Sequence, residues 1–320
     1  MSESTFCEEI NKTIIDIFSK YDRSVIYGQN IIAGSRISGL GKNLEKIQNA
    51  FVFNSTNTEN SLMGIGMGCS LMGVPSLYLM KQHDFALLGL DQLVNTYNLI
   101  RNKRMKAPFI VVMVVVDSGF EGPQSNLNNL DDFASITKAN VHFLNTYEKI
   151  STFKDLNLSN DLHFVAISQK NLKKEISQNL VTFLKGDEYF NLYRFKNKFQ
   201  TKSDNLIIYS GTVSILNEKY IDEIKNMQID IAILHKIDED IRNIDLNLFE
   251  VYRNVYIFSP SKSLNNSLQF LHSNLLQLDK KVVTQFQNNK LDWTQVNSDE
   301  FNLDLSSVRE FFSDPQISVY

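Results

Sequence analysis

Six short apolar runs rich in Val, Ile or Phe punctuate the first half of this 320-residue chain: Val25–Tyr27, Ala50–Phe53, Ser76–Met80, Phe109–Val116, Val141–Leu144 and Leu162–Ile167. Helix-like stretches separate them, and an amphipathic helix is predicted ahead of them over Ile10–Tyr21, where Ile14, Ile15 and Phe18 recur at helical spacing. Continuous apolar runs alternating with helices specify a parallel sheet buried on both faces. The alternation resumes with strand-like Leu206–Tyr209, Ile231–Leu234, Val255–Phe258 and Val282–Phe286, and with helices predicted over Val213–Met227, near Leu246–Tyr252 and over Leu264–Leu278. Between the two series the composition turns charged and irregular after Gly186, through Tyr193–Lys198. The sequence therefore predicts an α/β protein of two domains, 1–190 and 205–320, joined by a linker at 191–204.

Several function classes fall away. With 43% hydrophobic and 21% charged residues the chain is an ordinary globular protein. A net charge of −4 with both signs interspersed offers no basic patch for nucleic acid. The longest apolar runs fall far short of the ~18 residues that span a bilayer, so no membrane association is predicted. Glu8 and Glu9 stand where a secretion signal would be apolar, and only Cys7 and Cys69 occur, which together predict a cytoplasmic protein with free thiols.

Three segments carry the polar residues of a site. Ser55–Gly68 follows a strand and opens a helix; Thr56 and Glu59 are spaced as a capping box, and Gly64 and Gly68 as a close-packing face. The glycines lie inside the helix, which argues against a phosphate loop. Leu79–Asn95 runs from a strand end into a helix and places Gln82, His83 and Phe85 where open α/β sheets bind ligands. His83 also reads as an exposed loop residue, and without other ligands at metal spacing it makes no metal site. Asp117–Asn129 is a turn-rich loop directly after the most hydrophobic run, with Gln124 and Ser125 at its centre.

In order and at these spacings, the segments resemble the beta subunits of the decarboxylating component of 2-oxoacid dehydrogenase complexes and, more distantly, transketolase. Tyr27-Gly-Gln-Asn-Ile-Ile-Ala-Gly-Ser-Arg-Ile-Ser-Gly-Leu-Gly-Lys42 resembles the family's opening strand and loop. Thr58-Glu-Asn-Ser-Leu-Met-Gly-Ile-Gly-Met-Gly68 resembles its Ser-Glu-x-x-x-x-Gly-x-x-x-Gly helix, and Asp84-Phe85 followed by Asp91-Gln-Leu-Val-Asn95 its Asp-Phe/Tyr…Asp-Gln-Ile-Val-Asn stretch. Asn205–Gly211 and Ile229–His235 resemble its C-terminal domain.

The resemblance implies a thiamine-diphosphate pyrimidine-binding fold followed by a transketolase C-terminal-like α/β domain. It implies that Glu59 is catalytic: in the family this glutamate hydrogen-bonds the cofactor's aminopyrimidine and stabilises the imino tautomer that deprotonates the thiazolium carbon. Phe85 would stack on the pyrimidine and Gln82 would help to bind it, while Gln124 and Ser125 would face substrate. The implied reaction is decarboxylation of a 2-oxoacid with transfer of the acyl or aldehyde unit, or, alternatively, ketol transfer by a split transketolase.

Two departures qualify this. Aligned from Gly122-Pro123 to Phe133-Ala134, the family's loop histidine falls on Ser125, which cannot act as an acid or base near neutral pH. Either His83 assumes its role, or the reaction differs, or the chain is a catalytically weak, regulatory subunit. Nor does the sequence contain the Gly-Asp-Gly motif with which relatives hold magnesium and the diphosphate. Magnesium is then expected on a partner, an alpha-type subunit in an α2β2 heterotetramer, with no metal ligand here. An unrelated Rossmann-type binding module is the remaining rival.

Overall fold

The computed structural model describes residues 4–101, 104–153, 158–176, 180–196, 203–219, 221–264, 267–287 and 289–313. Helix α1 spans Phe6–Phe18 rather than starting at Ile10, because Thr5 and Glu8 close a capping box: the Thr5 N–H donates to the Glu8 carboxylate at 2.9 Å and the Glu8 N–H to Thr5 Oγ1 at 3.3 Å. There follow β1 (Ser24–Gly28), β2 (Ala50–Asn54), α2 (Glu59–Leu71), β3 (Ser76–Met80), α3 (Tyr97–Ile100), β4 (Phe109–Val115), α4 (Leu130–Thr137), β5 (Asn140–Phe143), α5 (Tyr147–Phe153) and β6 (Leu162–Ser168). All six expected runs are strands. The second half supplies β7 (Val181–Gly186), β8 (Phe190–Phe195), β9 (Asn205–Tyr209), α6 (Ile221–Ile224), β10 (Asp230–Leu234), β11 (Lys236–Ile237), β12 (Asn254–Ser259), α7 (Leu268–Gln277), β13 (Lys281–Phe286) and α8 (Leu305–Ser313).

The first sheet has the order β11-β5-β6-β4-β3-β1-β2, parallel except for β11. Every residue of β3, β4 and β6 is buried, as an unbroken apolar run between helical layers requires. The second sheet runs β13-β12-β9-β10-β8-β7, with β8 antiparallel to both of its neighbours. Residues 191–195, expected as linker, are therefore strand β8, paired across β10 with Asp230 opposite Arg194; the rest of the expected linker through 196, 203 and 204 is irregular, and 197–202 lie outside the described residues. The helix expected over Val213–Met227 is reduced to a 3-10 turn at Ile215–Asn217 and the single turn of α6, and that near Leu246–Tyr252 to a 3-10 turn at Leu246–Phe249. Among the described residues no helix is long and apolar enough to cross a membrane.

Three buried clusters form the core among the described residues, and one of them spans both sheets. A single buried cluster runs from Tyr27 and Met63 through Phe109 and Phe164 to Leu206, Phe249 and Leu271. The short strand β11 comes from the second half but pairs with β5, and the Phe143 N–H donates to the His235 carbonyl at 3.0 Å.

Burial has an electrostatic consequence. All five histidines are pushed below the ordinary imidazole range, by desolvation first: His83 to about 4, His235 to about 3, and His142, His163 and His272 also downward. A histidine depressed on folding binds fewer protons folded than unfolded, so its contribution is complete above the unfolded pKa of about 6.5 and is lost as pH falls through the folded value. Asp117, raised by burial to about 6, and Asp131, also raised, act in the opposite sense but are outnumbered. We expect unfolding free energy measured with denaturant to drop by on the order of a few kcal/mol between about pH 7 and about pH 4.5. Equal or greater stability at the lower pH would contradict this reading.

Candidate functional site

The loops leaving the carboxyl ends of β1, β3 and β6 open on the same end of the first sheet and line a cleft of about 160 Å³. Gln29 follows β1, Lys81 and Gln82 follow β3, and Gln169 follows β6; Val114 of β4 forms part of the floor. Glu59 is the first residue of α2 and is buried. Its Oε1 accepts a hydrogen bond from Gln29 Nε2 at 3.0 Å, while Oε2 has no partner among the described residues.

The expected Thr56–Glu59 capping box does not form. The helix N-cap is Thr58, which makes no side-chain capping bond, and Thr56 Oγ1 meets Thr58 Oγ1 at 3.3 Å instead. The helix starts two residues later than a box would require, which makes Glu59 its first residue instead of the third. The carboxylate at this first turn is met by Gln29, and the first-turn N–H groups favour its negative charge.

The phase of α2 also corrects the glycine reading. Its buried positions are Glu59, Leu62, Met63, Gly66, Met67 and Ser70, so Gly66 is the close-packing glycine, and a Cβ there would overlap the Phe109 ring. A Cβ on Gly68 would meet nothing within 4 Å, and one on Gly64 only the end of Gln92. Beneath the helix, Phe53, Tyr27 and Tyr78 stack across three strands with centroids 5.7 and 5.3 Å apart, and the Tyr27 hydroxyl donates to the Leu62 carbonyl at 2.7 Å. Burial, with the Glu59 charge adding to it, pushes the Tyr78 phenol up, so it stays neutral.

A 3-10 helix at His83–Gly89 packs against the start of α2 through Gly89, whose Cβ would fall 2.7 Å from Met63 Cγ. It carries Phe85, half-buried against the core. His83 is fully buried rather than exposed, its ring edge-on to Phe133 at 4.6 Å between centroids. Neither ring nitrogen has a partner at hydrogen-bonding distance, and the nearby Leu127 backbone offsets only part of the desolvation that holds His83 near 4.

The loop expected to face substrate is tied to this helix. Gln82 Nε2 donates to Ser125 Oγ at 2.7 Å, and the buried Asp84 carboxylate accepts from the Asn126 and Leu127 N–H groups at 3.0 and 3.2 Å. From the second half, Lys262 donates to the Asn126 carbonyl at 2.7 Å and pairs with Asp299, which accepts from the Phe120 N–H at 2.6 Å. Gln124, beside Ser125, is exposed. Of the expected site residues only Gln82 lines the cleft; Glu59 adjoins it through its bond from Gln29 and Ser125 through its bond from Gln82, while His83 is buried and Gln124 exposed. Gln29 and Asp84 are the polar partners for which sequence reasoning assigned no role; Gln29 was signalled only by its place just past a strand's carboxyl end. Among the described residues, no group of three or more His, Cys, Asp or Glu side chains is placed to hold a metal ion.

No protein-family model matches the sequence, and no curated protein matches it. Among solved structures the chain is similar to a split-gene transketolase in an inactive beta4 tetramer, with a TM-score of 0.61 and 10% identity over 98% of this chain and 99% of that one. At that identity the likeness establishes the fold, and it spans both halves: this chain has the architecture of a transketolase-like pyrimidine-binding domain followed by a C-terminal α/β domain.

Proposed function

We propose that this chain is the pyrimidine-binding, beta-type subunit of a two-chain thiamine-diphosphate enzyme. The observation that carries the reading is Glu59, a buried carboxylate at a helix start, oriented by Gln29 at 3.0 Å and with its second oxygen unpartnered among the described residues. Such a group fits an aminopyrimidine: the free oxygen can hold a proton at a ring nitrogen while Gln29 fixes the carboxylate plane. Phe85 offers an aromatic face, and Gln82 with Ser125 supplies hydrogen-bonding groups on the substrate side. When bound, thiamine diphosphate would supply the carbanion chemistry, and this chain's part is to orient it and to manage the proton at Glu59.

In this proposal magnesium and the diphosphate belong to an alpha-type partner, because the sequence has no Gly-Asp-Gly motif. The outer face of α2 supports a partner: Gly68 opens on free space, and Ile65, Leu87 and Leu88 stand exposed on α2 and the adjoining 3-10 helix. The reaction class has two supports. The sequence motifs favour 2-oxoacid decarboxylation, whereas the solved split-gene transketolase favours ketol transfer. His83 enters as a fully buried imidazole, held neutral by desolvation and edge-on to Phe133, so its surroundings would have to shift before it could carry a proton to substrate.

Calorimetry tests the split site. The isolated chain should bind thiamine diphosphate weakly or not at all, even with magnesium, and acquire micromolar binding once the alpha-type partner is added. Tight, magnesium-dependent binding by this chain alone would refute the division of labour.

A further inference from the structure

A second cavity, of about 400 Å³, lies at the amino-terminal end of β6, opposite the end that carries the Glu59 cleft. Its walls come from both halves: His142 on β5, His163 on β6, Lys149 on α5, and Glu188, His235 and Lys236 from the second half. The side chains of His142, Lys149, His163 and His235 are each at least nine-tenths buried.

The lining carries two lysines, Lys149 and Lys236, and two carboxylates, Asp187 and Glu188, but they are not paired one to one. Lys236 is taken by Glu188 and by Asp238, the latter at 2.6 Å. Asp187 accepts from the Tyr189 and Phe190 N–H groups at 2.7 and 2.6 Å. Lys149 is 6% exposed, and its ammonium has neither a hydrogen bond nor an ion pair among the described residues. Burial, together with repulsion from Lys236, holds that ammonium down at about 8, although Glu188 pulls the other way. The ammonium is not among the unpartnered side-chain atoms sealed from solvent, so it opens on the cavity, where an anion can reach it.

The imidazoles cannot supply that charge. The Ser159 carbonyl only accepts, so His163 Nε2, 3.0 Å away, carries the proton, and His163 Nδ1 then accepts from His142 Nε2 at 3.1 Å. His142 Nδ1 is left as a bare acceptor, and neither nitrogen of His235 has a partner at hydrogen-bonding distance. Both rings are held neutral by burial. The cavity wall is therefore polar and incompletely hydrogen-bonded, and its charged groups are Lys149, the Lys236 ion pairs and the backbone-bonded Asp187. A volume of this size suits a small metabolite rather than a single ion.

We propose that this cavity is a binding site, separate from the Glu59 cleft, for a small anionic metabolite whose carboxylate or phosphate group pairs with Lys149. The inference does not depend on the proposed thiamine-diphosphate chemistry, because none of its residues lines that cleft.

The test uses the full chain without cofactor or partner. Amine acylation at Lys149 is quantified by peptide mass spectrometry in the presence of inorganic phosphate or of acetate at constant ionic strength, with exposed Lys46 as internal control. An anion on the ammonium both shields the amine and favours its charged form, so Lys149 labelling should slow at least several-fold while Lys46 labelling does not change. Slowing by phosphate alone assigns a phosphate ligand, by acetate alone a carboxylate, and by both a site that reads charge only; no slowing by either anion overturns the proposal. Lys149→Met adds an independent readout. Removing an uncompensated charge should raise the thermal midpoint in anion-free buffer and abolish any anion-dependent rise. A lowered midpoint, or an anion-dependent rise equal to that of the unsubstituted chain, would reject Lys149 as the anchor.

Discussion

Glu59→Gln, assembled with a partner that supplies the diphosphate half, is expected to lose turnover by roughly 10²–10⁴-fold, the range for removing a group that exchanges a proton in the transition state. Folding and assembly should survive. The introduced amide oxygen can still accept from Gln29, which donates to Oε1 at 3.0 Å in the parent, and the replacement is isosteric. What the amide cannot do is take up and return a proton. The same substitution distinguishes a catalytic from a capping role, since an amide serves well in a helix first turn. Single-turnover kinetics on the assembled enzyme within a few-fold of the parent would return Glu59 to structure, whichever of the two reactions the enzyme performs. Gln29→Ala should be milder, because it frees the carboxylate without removing it.

Asp230→Ala should cause the largest loss of stability, about 3 kcal/mol in denaturant unfolding. Asp230 is 1% exposed and accepts from Arg194 Nε at 2.8 Å, from the outer Arg194 nitrogen at 2.6 Å and from the Tyr252 hydroxyl at 2.7 Å. Removing one partner of a buried ion pair typically costs about 3–5 kcal/mol, because the other charge is left uncompensated. Arg194 keeps a quarter of its side-chain surface in water, which places the estimate at the lower end. Replacing both members with apolar residues, Asp230→Leu with Arg194→Met, should recover most of the loss. A single-substitution cost under about 1 kcal/mol would mean that water satisfies Arg194 better than its position suggests.

That pair also explains why β8 is hard to recognise in the sequence. Phe190, Leu192, Tyr193 and Phe195 are buried strand residues, but Arg194 and the charges around it read as a connection. Only Asp230, 36 residues further on, neutralises the arginine and makes the segment a strand. The six strands of the first half were legible through local apolar content alone, which buries all of them but the edge strand β2. The helix expected over Val213–Met227 failed for the opposite reason: Thr212 bonds to Asp117 at 2.8 Å, and Ser214 and Ile215 are buried, so contacts with the other sheet hold the backbone there out of a helix. Helix α1 was misplaced because the Thr5–Glu8 box was overlooked, although the signal is local.

At the site, the position of Glu59 just past a strand could be read, as could the placement of Gln82 and Ser125 at strand ends. Their pairings could not: Gln29 and Glu59 are 30 residues apart, Gln82 and Ser125 43, and nothing local encodes either bond. Gly66 was passed over for Gly64 and Gly68 because spacing alone does not say which face of a helix meets the sheet. The depth of His83 likewise depends on Phe133 arriving from a distant helix.

The strand borrowed by the first sheet bears on how the chain is made. β5 obtains its outer neighbour only at Lys236 and Ile237. During synthesis the first six strands therefore emerge well before β11 can pair, and β5 meanwhile presents unpaired backbone donors and acceptors to any other nascent chain. Premature release, or a stop codon between the two halves, leaves that edge uncovered permanently and favours edge-to-edge aggregation over a soluble half-protein.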